Sequence, residues 1–256
     1  MNNFKVNLVK CLSDNYSYII FNPNSKKSIV VDPAEAEPVA EELEKLNLEL
    51  EYILITHHHS DHVGGNLELK KKYNCKIVGY ENDADRIPGI DIRLNDKEIF
   101  YFENEEIELN TGPGHTSGHI FYFFKKNQLA FVGDIVFSLG CGRIFEGTAE
   151  EMHSSVTKIK SLPDLTKIYC GHEYTENNLK FCKHYDPENN DLIERGREIF
   201  NLRKKNLPTI PTTVLLEKRT NIFFRCDNNI ISFNLNMKGS NPSIIFKKLR
   251  ELKDNF

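Results

Sequence analysis

Four histidines and one aspartate fall within six consecutive residues of this sequence, at His57, His58, His59, Asp61 and His62. Imidazoles packed this densely repel one another when protonated and hydrogen-bond poorly when neutral, so a purely structural role explains them badly. A divalent cation removes the conflict, because imidazole nitrogens and carboxylate oxygens bind zinc at about 2.0–2.2 Å. The H-x-H-x-D-H spacing therefore predicts a metal site. Alternate side chains of a strand-end loop share one side, so His57 and His59 can reach one ion while Asp61 and His62 reach a second.

Three later segments place a histidine or an aspartate beside glycine next to an apolar strand, and they supply the remaining candidate ligands. They are residues 111–119 with His115, residues 131–134 with Asp134, and residues 169–174 with His172. Each segment alone is weak evidence for a metal ligand, but the three together, following the first motif, are stronger evidence. Of the neighbouring histidines, His58 is expected to point away from the metals, and His119 to be structural or to contact a ligand.

The elements that must position these residues read as a mixed α/β sandwich. Short apolar strands separated by glycine and asparagine turns fill the first two thirds of the chain, with helical patterns at residues 38–46, 66–73 and 150–159. Several strands are apolar on both faces, which is typical of a sheet covered on both sides. Asp32 ends one such strand, where it either orients a metal-site loop or simply forms a turn before Pro33.

After about residue 172 the pattern changes to polar helices at residues 175–184 and 187–205, followed by an irregular proline-rich segment. A last helix is predicted to begin at Asn241-Pro242, an N-cap followed by a proline at the first helical position. Its apolar face is expected to contain Ile245, Leu249, Leu252 and Phe256. We therefore predict a catalytic domain at residues 1–173 and a smaller, mainly helical domain at residues 174–256.

Charge and cysteine content narrow the class of protein. Residues 174–256 hold 15 Lys and Arg against 10 Asp and Glu, a net charge of +5, while the rest of the chain carries −9. The C-terminal third either faces an anion or is an ordinary solvated surface. No basic run with interleaved aromatic residues predicts nucleic-acid binding. The six scattered cysteines form no C-x-x-C pair, which indicates reduced thiols rather than a disulfide framework or a cysteine-ligated zinc site.

No apolar run approaches the length of a membrane span, and the first residues have neither the apolar core of a signal peptide nor the bias of a transit peptide. We therefore expect a cytoplasmic protein without a membrane partner. The oligomeric state is open, and a monomer is the expectation.

The ordered set of motifs is similar to the signature of the metallo-β-lactamase superfamily. H-x-H-x-D-H is followed by Pro-Gly-His-Thr at residues 113–116, by Gly-Asp at 133–134 and by Gly-His at 171–172. The resemblance implies a four-layer αββα fold with the site at one edge of the sandwich. It implies seven metal ligands, with His57, His59 and His115 on one ion, Asp61, His62 and His172 on the other, and Asp134 bridging the two. Asp61 and Asp134 are the expected catalytic residues.

Finer matches between residues 14 and 181 resemble one branch of this superfamily, glyoxalase II. They include Val-Asp-Pro at residues 31–33, the segment 145–152, and residues 171–181. The resemblance implies hydrolysis of S-D-lactoylglutathione to glutathione and D-lactate, the second step in detoxifying methylglyoxal. It also implies two divalent metal ions per chain; zinc is the first expectation, and iron or manganese the alternatives.

The same resemblance suggests how a glutathione thioester is bound. Arg250 and Lys253 are expected to hold the glycine carboxylate of glutathione, and the further substrate contacts are Arg143, Phe145, His172 and Tyr174. Arg143 aligns with a lysine of the family and keeps its positive charge with a different geometry. Phe145 aligns with a tyrosine of the family and lacks its hydroxyl group. Residues 206–240 match the family poorly, and no path is predicted for them.

The chemistry favours a thioesterase. Metal binding lowers the pKa of water to about 7, which makes hydroxide available at neutral pH. The thiol leaving group has a pKa of about 8.5, so its departure needs little help from a general acid. The alternatives are a glutathione persulfide dioxygenase of the same superfamily, which uses mononuclear iron and is disfavoured by the C-terminal third, and a non-catalytic metal-binding relative.

Overall fold

The structure is a computed structural model that describes residues 4–256, and the chain packs in it as two compact units. Unit 1 comprises described residues 4–111 and 118–133. Unit 2 comprises residues 112–117 and 134–256. Each unit therefore contains part of the predicted ligand set.

Unit 1 is built on a six-stranded sheet. Its strands are Lys5–Cys11 (β1), Asn15–Phe21 (β2), Lys27–Val31 (β3), Glu49–Leu54 (β4), Lys76–Tyr80 (β5) and Ile92–Leu94 (β6). They lie in sequence order; β1 to β3 pair antiparallel, and β3 to β6 pair parallel. The carboxyl ends of β3 and β4 therefore meet at one edge of the sheet, where Asp32 and the histidine-rich loop follow them.

Helices cover one face of this sheet. They are Ala36–Lys45 (α1), Ser60–Val63 (α2) and Asn66–Tyr73 (α3), and a 3₁₀ helix spans Glu81–Arg86. Val39 and Leu43 of α1 and Leu69 of α3 are fully buried in a core shared with Val30 and Ile53 of the strands. The bounds predicted for α3 are confirmed. Helix α1 begins two residues before the prediction, because Pro38 lies in its first turn, where a missing N–H costs no hydrogen bond.

Four strands cover the other face of the sheet. They are Ile99–Phe102 (β7), Glu105–Thr111 (β8), Ile120–Phe124 (β9) and Leu129–Gly133 (β10), paired antiparallel in the order β10, β9, β8, β7. The ring of Tyr18 lies 5.5 Å from that of Phe131, and the buried Tyr122 hydroxyl donates to the Ile55 carbonyl oxygen at 3.0 Å. Burial on both faces of the first sheet is thus confirmed.

Unit 2 is mainly helical. Its elements are Val136–Phe137 (β11), Gly140–Cys141 (β12), Ala149–Lys160 (α4), Lys167–Cys170 (β13), Thr175–Tyr185 (α5), Asn190–Arg203 (α6), Thr212–Thr213 (β14), Val214–Thr220 (α7), Asn229–Asn234 (α8) and Pro242–Asp254 (α9). β11 pairs with β12, and β13 with β14. Thr148 and Glu151 form the predicted capping box at the start of α4. The segment without a predicted path forms β14, α7 and α8.

The start of α9 is confirmed and its predicted apolar face is partly wrong. The Asn241 side chain accepts from the Ser243 N–H at 3.0 Å. The helix ends at Asp254, and Phe256 is 58% exposed beyond it. The buried face consists of Ile245, Phe246, Leu249 and Arg250. Within residues 4–256, none of the helices is long and apolar enough to cross a membrane.

Candidate metal centre

The histidine-rich loop of unit 1 leaves the end of β4 and enters α2 at Ser60. His57 is buried, and its Nε2 lies 3.1 Å from Nδ1 of His59. Two ligand atoms at about 2.1 Å from a tetrahedral ion lie roughly 3.4 Å from each other. The separation of these two nitrogens therefore fits ligands of one cation, as the alternation of the motif predicted.

Asp32 fixes the orientation of two histidines in this loop. Its carboxylate accepts from the Thr56 N–H at 2.8 Å, from the Thr56 hydroxyl at 2.6 Å and from Nδ1 of His62 at 3.0 Å. Since the Thr56 hydroxyl donates to Asp32, its oxygen accepts from Nδ1 of His57 at 3.0 Å. Both histidines thus carry a proton on Nδ1, which leaves Nε2 as the ligand atom. Of the two interpretations of Asp32, the orienting role is the one that the structure supports.

The donor atoms of Asp32, His57 and His62 all lie within 4.8 Å of one another. Asp61 is close to this group, since its Oδ2 lies 3.7 Å from Nε2 of His62. Asn15 holds Asp61 from β2, because its amide donates at 3.0 Å both to the Asp61 carboxylate and to the Asp61 carbonyl oxygen. Sequence reasoning gave Asn15 no role in the site. The available signal was a polar residue at the start of a strand whose members are all buried.

The two neighbouring histidines make other contacts. Nδ1 of His58 lies 3.2 Å from the carboxylate of Asp83, which also accepts from Nε of Arg86 at 2.6 Å. The fully buried His119 stacks on His57 with ring centroids 4.3 Å apart and donates from Nδ1 to the Ile120 carbonyl oxygen. His58 therefore faces the 3₁₀ helix, and His119 packs against a candidate ligand. Both placements agree with the expectations, and Asp83 is a partner that sequence reasoning missed.

Unit 2 brings together a second cluster of three buried side chains. Nε2 of His115 and Nε2 of His172 lie 3.5 and 3.3 Å from Oδ2 of Asp134. Nδ1 of His115 donates to the Arg143 carbonyl oxygen at 2.9 Å, so its Nε2 is the atom left to face the carboxylate. Each of these two separations is that of a pair of ligand atoms on one cation, so Asp134 is placed to share a cation with either histidine.

The backbone at Gly142 packs closely against the backbone of Asp134 in the second cluster. A Cβ atom on Gly142 would lie 2.0 Å from the Asp134 carbonyl oxygen, so only glycine fits there. The Gly142 N–H donates to the Ile135 carbonyl oxygen at 3.2 Å. The chain after Asp134 therefore folds back directly against it.

Two of the candidate substrate contacts are aromatic and pack on ligands of this cluster. Tyr174 stacks on His172 with ring centroids 4.7 Å apart, and Phe145 lies edge-on to His115 at 5.2 Å. Phe145 is 61% exposed, and the Arg143 side chain is also exposed. The ring face and the guanidinium are thus available to a ligand at the surface of unit 2.

The two cations of α9 differ from each other in their surroundings. Arg250 is only 5% exposed, and its guanidinium donates to the Cys141 carbonyl oxygen at 2.9 Å and to Asp254 at 2.8 Å. Lys253 is partly exposed; it donates to the Asn177 carbonyl oxygen at 3.3 Å, and burial lowers its pKa. Arg250 thus has structural partners inside unit 2, which sequence reasoning did not foresee. Its assignment to the substrate stays a prediction.

Comparison with known proteins places the chain in a family. A model of the metallo-beta-lactamase superfamily matches residues 12–172, and a model described as the hydroxyacylglutathione hydrolase C-terminus matches residues 173–256. A hydroxyacylglutathione hydrolase of Pelagibacter ubique (strain HTCC1062) is 48% identical over 98% of this chain and the whole of its own length. The chain belongs to the hydroxyacylglutathione hydrolase family of the metallo-β-lactamase superfamily.

Solved structures agree on the fold of this family. BLEG-1, a B3 metallo-beta-lactamase, aligns over 86% of this chain and 99% of its own with a TM-score of 0.66 and 19% identity. TTHA1623, solved in a di-iron-bound form, aligns over 84% of this chain and 98% of its own with a TM-score of 0.61 and 20% identity. The predicted fold class, the metallo-β-lactamase fold with a helical C-terminal region, is confirmed.

The different surroundings of His58 and His59 generate a prediction for this family member. His59→Ala should lower the zinc bound per chain, because it removes a nitrogen that lies beside Nε2 of His57. His58→Ala should leave the zinc content within about a tenth of wild type, since His58 pairs with Asp83. Metal content after dialysis, measured by mass spectrometry on both variants, tests this. Equal losses in two folded proteins would show that the loop register is wrong.

Proposed function

We propose that this chain is a hydroxyacylglutathione hydrolase, which hydrolyses S-D-lactoylglutathione to glutathione and D-lactate in the detoxification of methylglyoxal. The observation that carries the proposal is the 48% identity to a protein of that name over 98% of the chain. The C-terminal family match supports it further, because it covers the region expected to bind glutathione. We keep the division into a catalytic domain at residues 1–173 and a glutathione-binding domain at residues 174–256.

We propose two divalent metal ions for the site. Their ligands are His57, His59 and His115 for one ion, Asp61, His62 and His172 for the other, and Asp134 between them. Support comes from each unit by itself, because the donors of unit 1 and those of unit 2 are separately clustered and oriented. Five imidazoles and two carboxylates suit zinc, which we expect, and also iron or manganese. When bound, such ions make hydroxide available near neutral pH and polarise a carbonyl group.

The chain's own residues then have defined tasks. Asp32 and the Arg143 carbonyl oxygen keep the ligand histidines in one tautomer. We assign to Asp61, which the Asn15 amide holds, the task of accepting a proton from the attacking water. Breaking the C–S bond of the thioester releases a thiol of low basicity, so a strong general acid is not required.

We propose that the glutathione portion binds at unit 2, against Tyr174 and Phe145 and between cationic side chains. Glutathione carries two carboxylates, and Arg143 and Lys253 are accessible cations of unit 2. We keep Arg250 as a proposed substrate contact; Asp254 accepts from it at 2.8 Å and offsets part of its charge. The six cysteines are buried thiols, which suits a reducing cytoplasm, where we place the protein as a monomer.

A steady-state assay tests the proposal. Zinc-loaded protein should release thiol from S-D-lactoylglutathione with kcat/KM of at least about 10⁴ M⁻¹s⁻¹, the lower range for dedicated enzymes. The matched control is the lactoyl thioester of N-acetylcysteamine, which lacks the glutathione peptide and should react at least about tenfold more slowly. Oxygen consumption with glutathione persulfide and no thiol release would indicate the dioxygenase instead. A metal-loaded protein inert to both substrates would indicate a non-catalytic relative.

The carboxylate contacts give a separate prediction. Lys253→Ala should raise KM for S-D-lactoylglutathione more than it lowers kcat, because a contact remote from the reacting carbonyl forms equally in ground and transition states. A loss of about 1–3 kcal/mol of binding corresponds to roughly 5- to 150-fold in KM. Lys247→Ala, on the exposed side of the same helix, is the control and should change nothing. If both variants stay within twofold of wild type, Lys253 does not bind substrate.

A further inference from the structure

The two-stranded hairpin β11–β12 connects two parts of the unit 2 cluster. Asp134 lies two residues before β11, and Arg143, whose carbonyl oxygen orients His115, lies two residues after β12. With only two residues in each strand, the hairpin has too few hydrogen bonds to be stable by itself. Leu139 at its tip has φ +61°, a left-handed conformation that leucine adopts only where its surroundings hold it.

Glu217 of α7 holds this tip. Its carboxylate is fully buried and accepts from the Leu139 N–H at 2.8 Å and from the Ser138 hydroxyl at 3.3 Å. It also accepts from the Thr212 hydroxyl at 2.6 Å and from the Asn221 amide at 2.8 Å. All four donors are neutral; burial raises the pKa of Glu217, while the hydrogen bonds from Thr212, Leu139 and Asn221 and the charge of Arg195 oppose the rise. A buried carboxylate satisfied only by neutral donors is costly, which points to a specific task.

Other helices of unit 2 bond the rest of the hairpin backbone. The Asn221 amide donates to the Gly140 carbonyl oxygen at 3.0 Å, and the Asn178 amide of α5 donates to that of Ser138 at 3.1 Å. A Cβ atom on Gly140 would lie 2.5 Å from Asn178, so the fit is close. Arg250 of α9 bonds the Cys141 carbonyl oxygen. The conformation of the hairpin is therefore set by side chains from three helices, with Glu217 at the strained tip.

The hairpin in turn sets the positions of Asp134 and His115. Gly142 packs against the Asp134 carbonyl oxygen with no room for a side chain, and the Arg143 carbonyl oxygen accepts from Nδ1 of His115 at 2.9 Å. A shift of the tip is therefore transmitted at one end to the carboxylate and at the other to the imidazole.

We propose that Glu217 is a positioning residue that, through the β11–β12 hairpin, sets the separation of Asp134 and His115 and with it the metal affinity of the site. This inference rests on the ligand roles given to those two residues under the proposed function. It assigns the C-terminal helices a second task besides binding glutathione, since they also shape the metal centre.

The test is zinc affinity, measured with metal-buffered solutions and mass spectrometry on the full chain. Glu217→Gln keeps the shape of the side chain but replaces one acceptor oxygen with an NH₂ group facing a donor. Its apparent Kd for the more weakly held zinc should rise by about 10- to 100-fold, as for other residues that orient ligands. Asn178→Ala, which leaves Glu217 in place, should shift the same Kd in the same direction by a smaller factor.

The matched control is Asp186→Asn. Asp186 is also a buried carboxylate of unit 2, but its side chain pairs with Arg225 and Asn189, which both lie outside the hairpin. It should lower the melting temperature as Glu217→Gln does, while leaving zinc affinity unchanged. Zinc affinity that is unchanged in Glu217→Gln, or equally reduced in Asp186→Asn, overturns the positioning role. A wild type that binds two zinc ions but hydrolyses no glutathione thioester overturns only the proposed function.

Discussion

A histidine holds one nitrogen at a fixed place towards a cation when an acceptor binds the proton on its other nitrogen. The rest of this structure depends on that constraint. In unit 1 the acceptors are the Asp32 carboxylate and the Thr56 hydroxyl that it orders. The parallel pairing of β3 and β4 brings them to the same sheet edge, where the Asp32 N–H donates to the Leu54 carbonyl oxygen at 3.1 Å. In unit 2 the acceptor is the Arg143 carbonyl oxygen, which the hairpin positions. The fold therefore places hydrogen-bond acceptors next to the candidate ligand histidines, on the side away from the ligand nitrogen.

Several arginines that contribute to the positive charge of the C-terminal third have partners inside unit 2. Arg225 pairs with the buried Asp186, and Arg195 pairs with Glu198 at 2.6 Å. Arg250 is directed inward to a backbone carbonyl group. These three arginines are therefore bonded within unit 2, and an arginine paired with a carboxylate adds nothing to the net charge of the region. Arg143 and Lys253 are therefore more informative about ligand binding than the overall charge of the region.

Sequence reasoning succeeded where the signal is local. The capping box of Thr148, the bounds of α3 and the N-cap of Asn241 all depend on residues within a few positions of one another. It failed where packing between distant segments of the chain decides the burial and the contacts of a side chain. The burial of Arg250 and the contacts of Asn15, Asp83 and Glu217 join residues 25 to 109 positions apart. Residues 206–240 form short elements that no periodicity marks.

We propose that two metal ions, and not one, support thioester hydrolysis by this chain. The decisive measurement strips the protein with a chelator and follows the initial rate of S-D-lactoylglutathione hydrolysis as zinc is returned in fractions of an equivalent, with bound zinc counted at each step. Activity that rises until about two zinc ions are bound per chain is the result predicted by a pair of ions on seven ligands. Full activity at a single bound ion, or no hydrolysis with two ions bound, would contradict it.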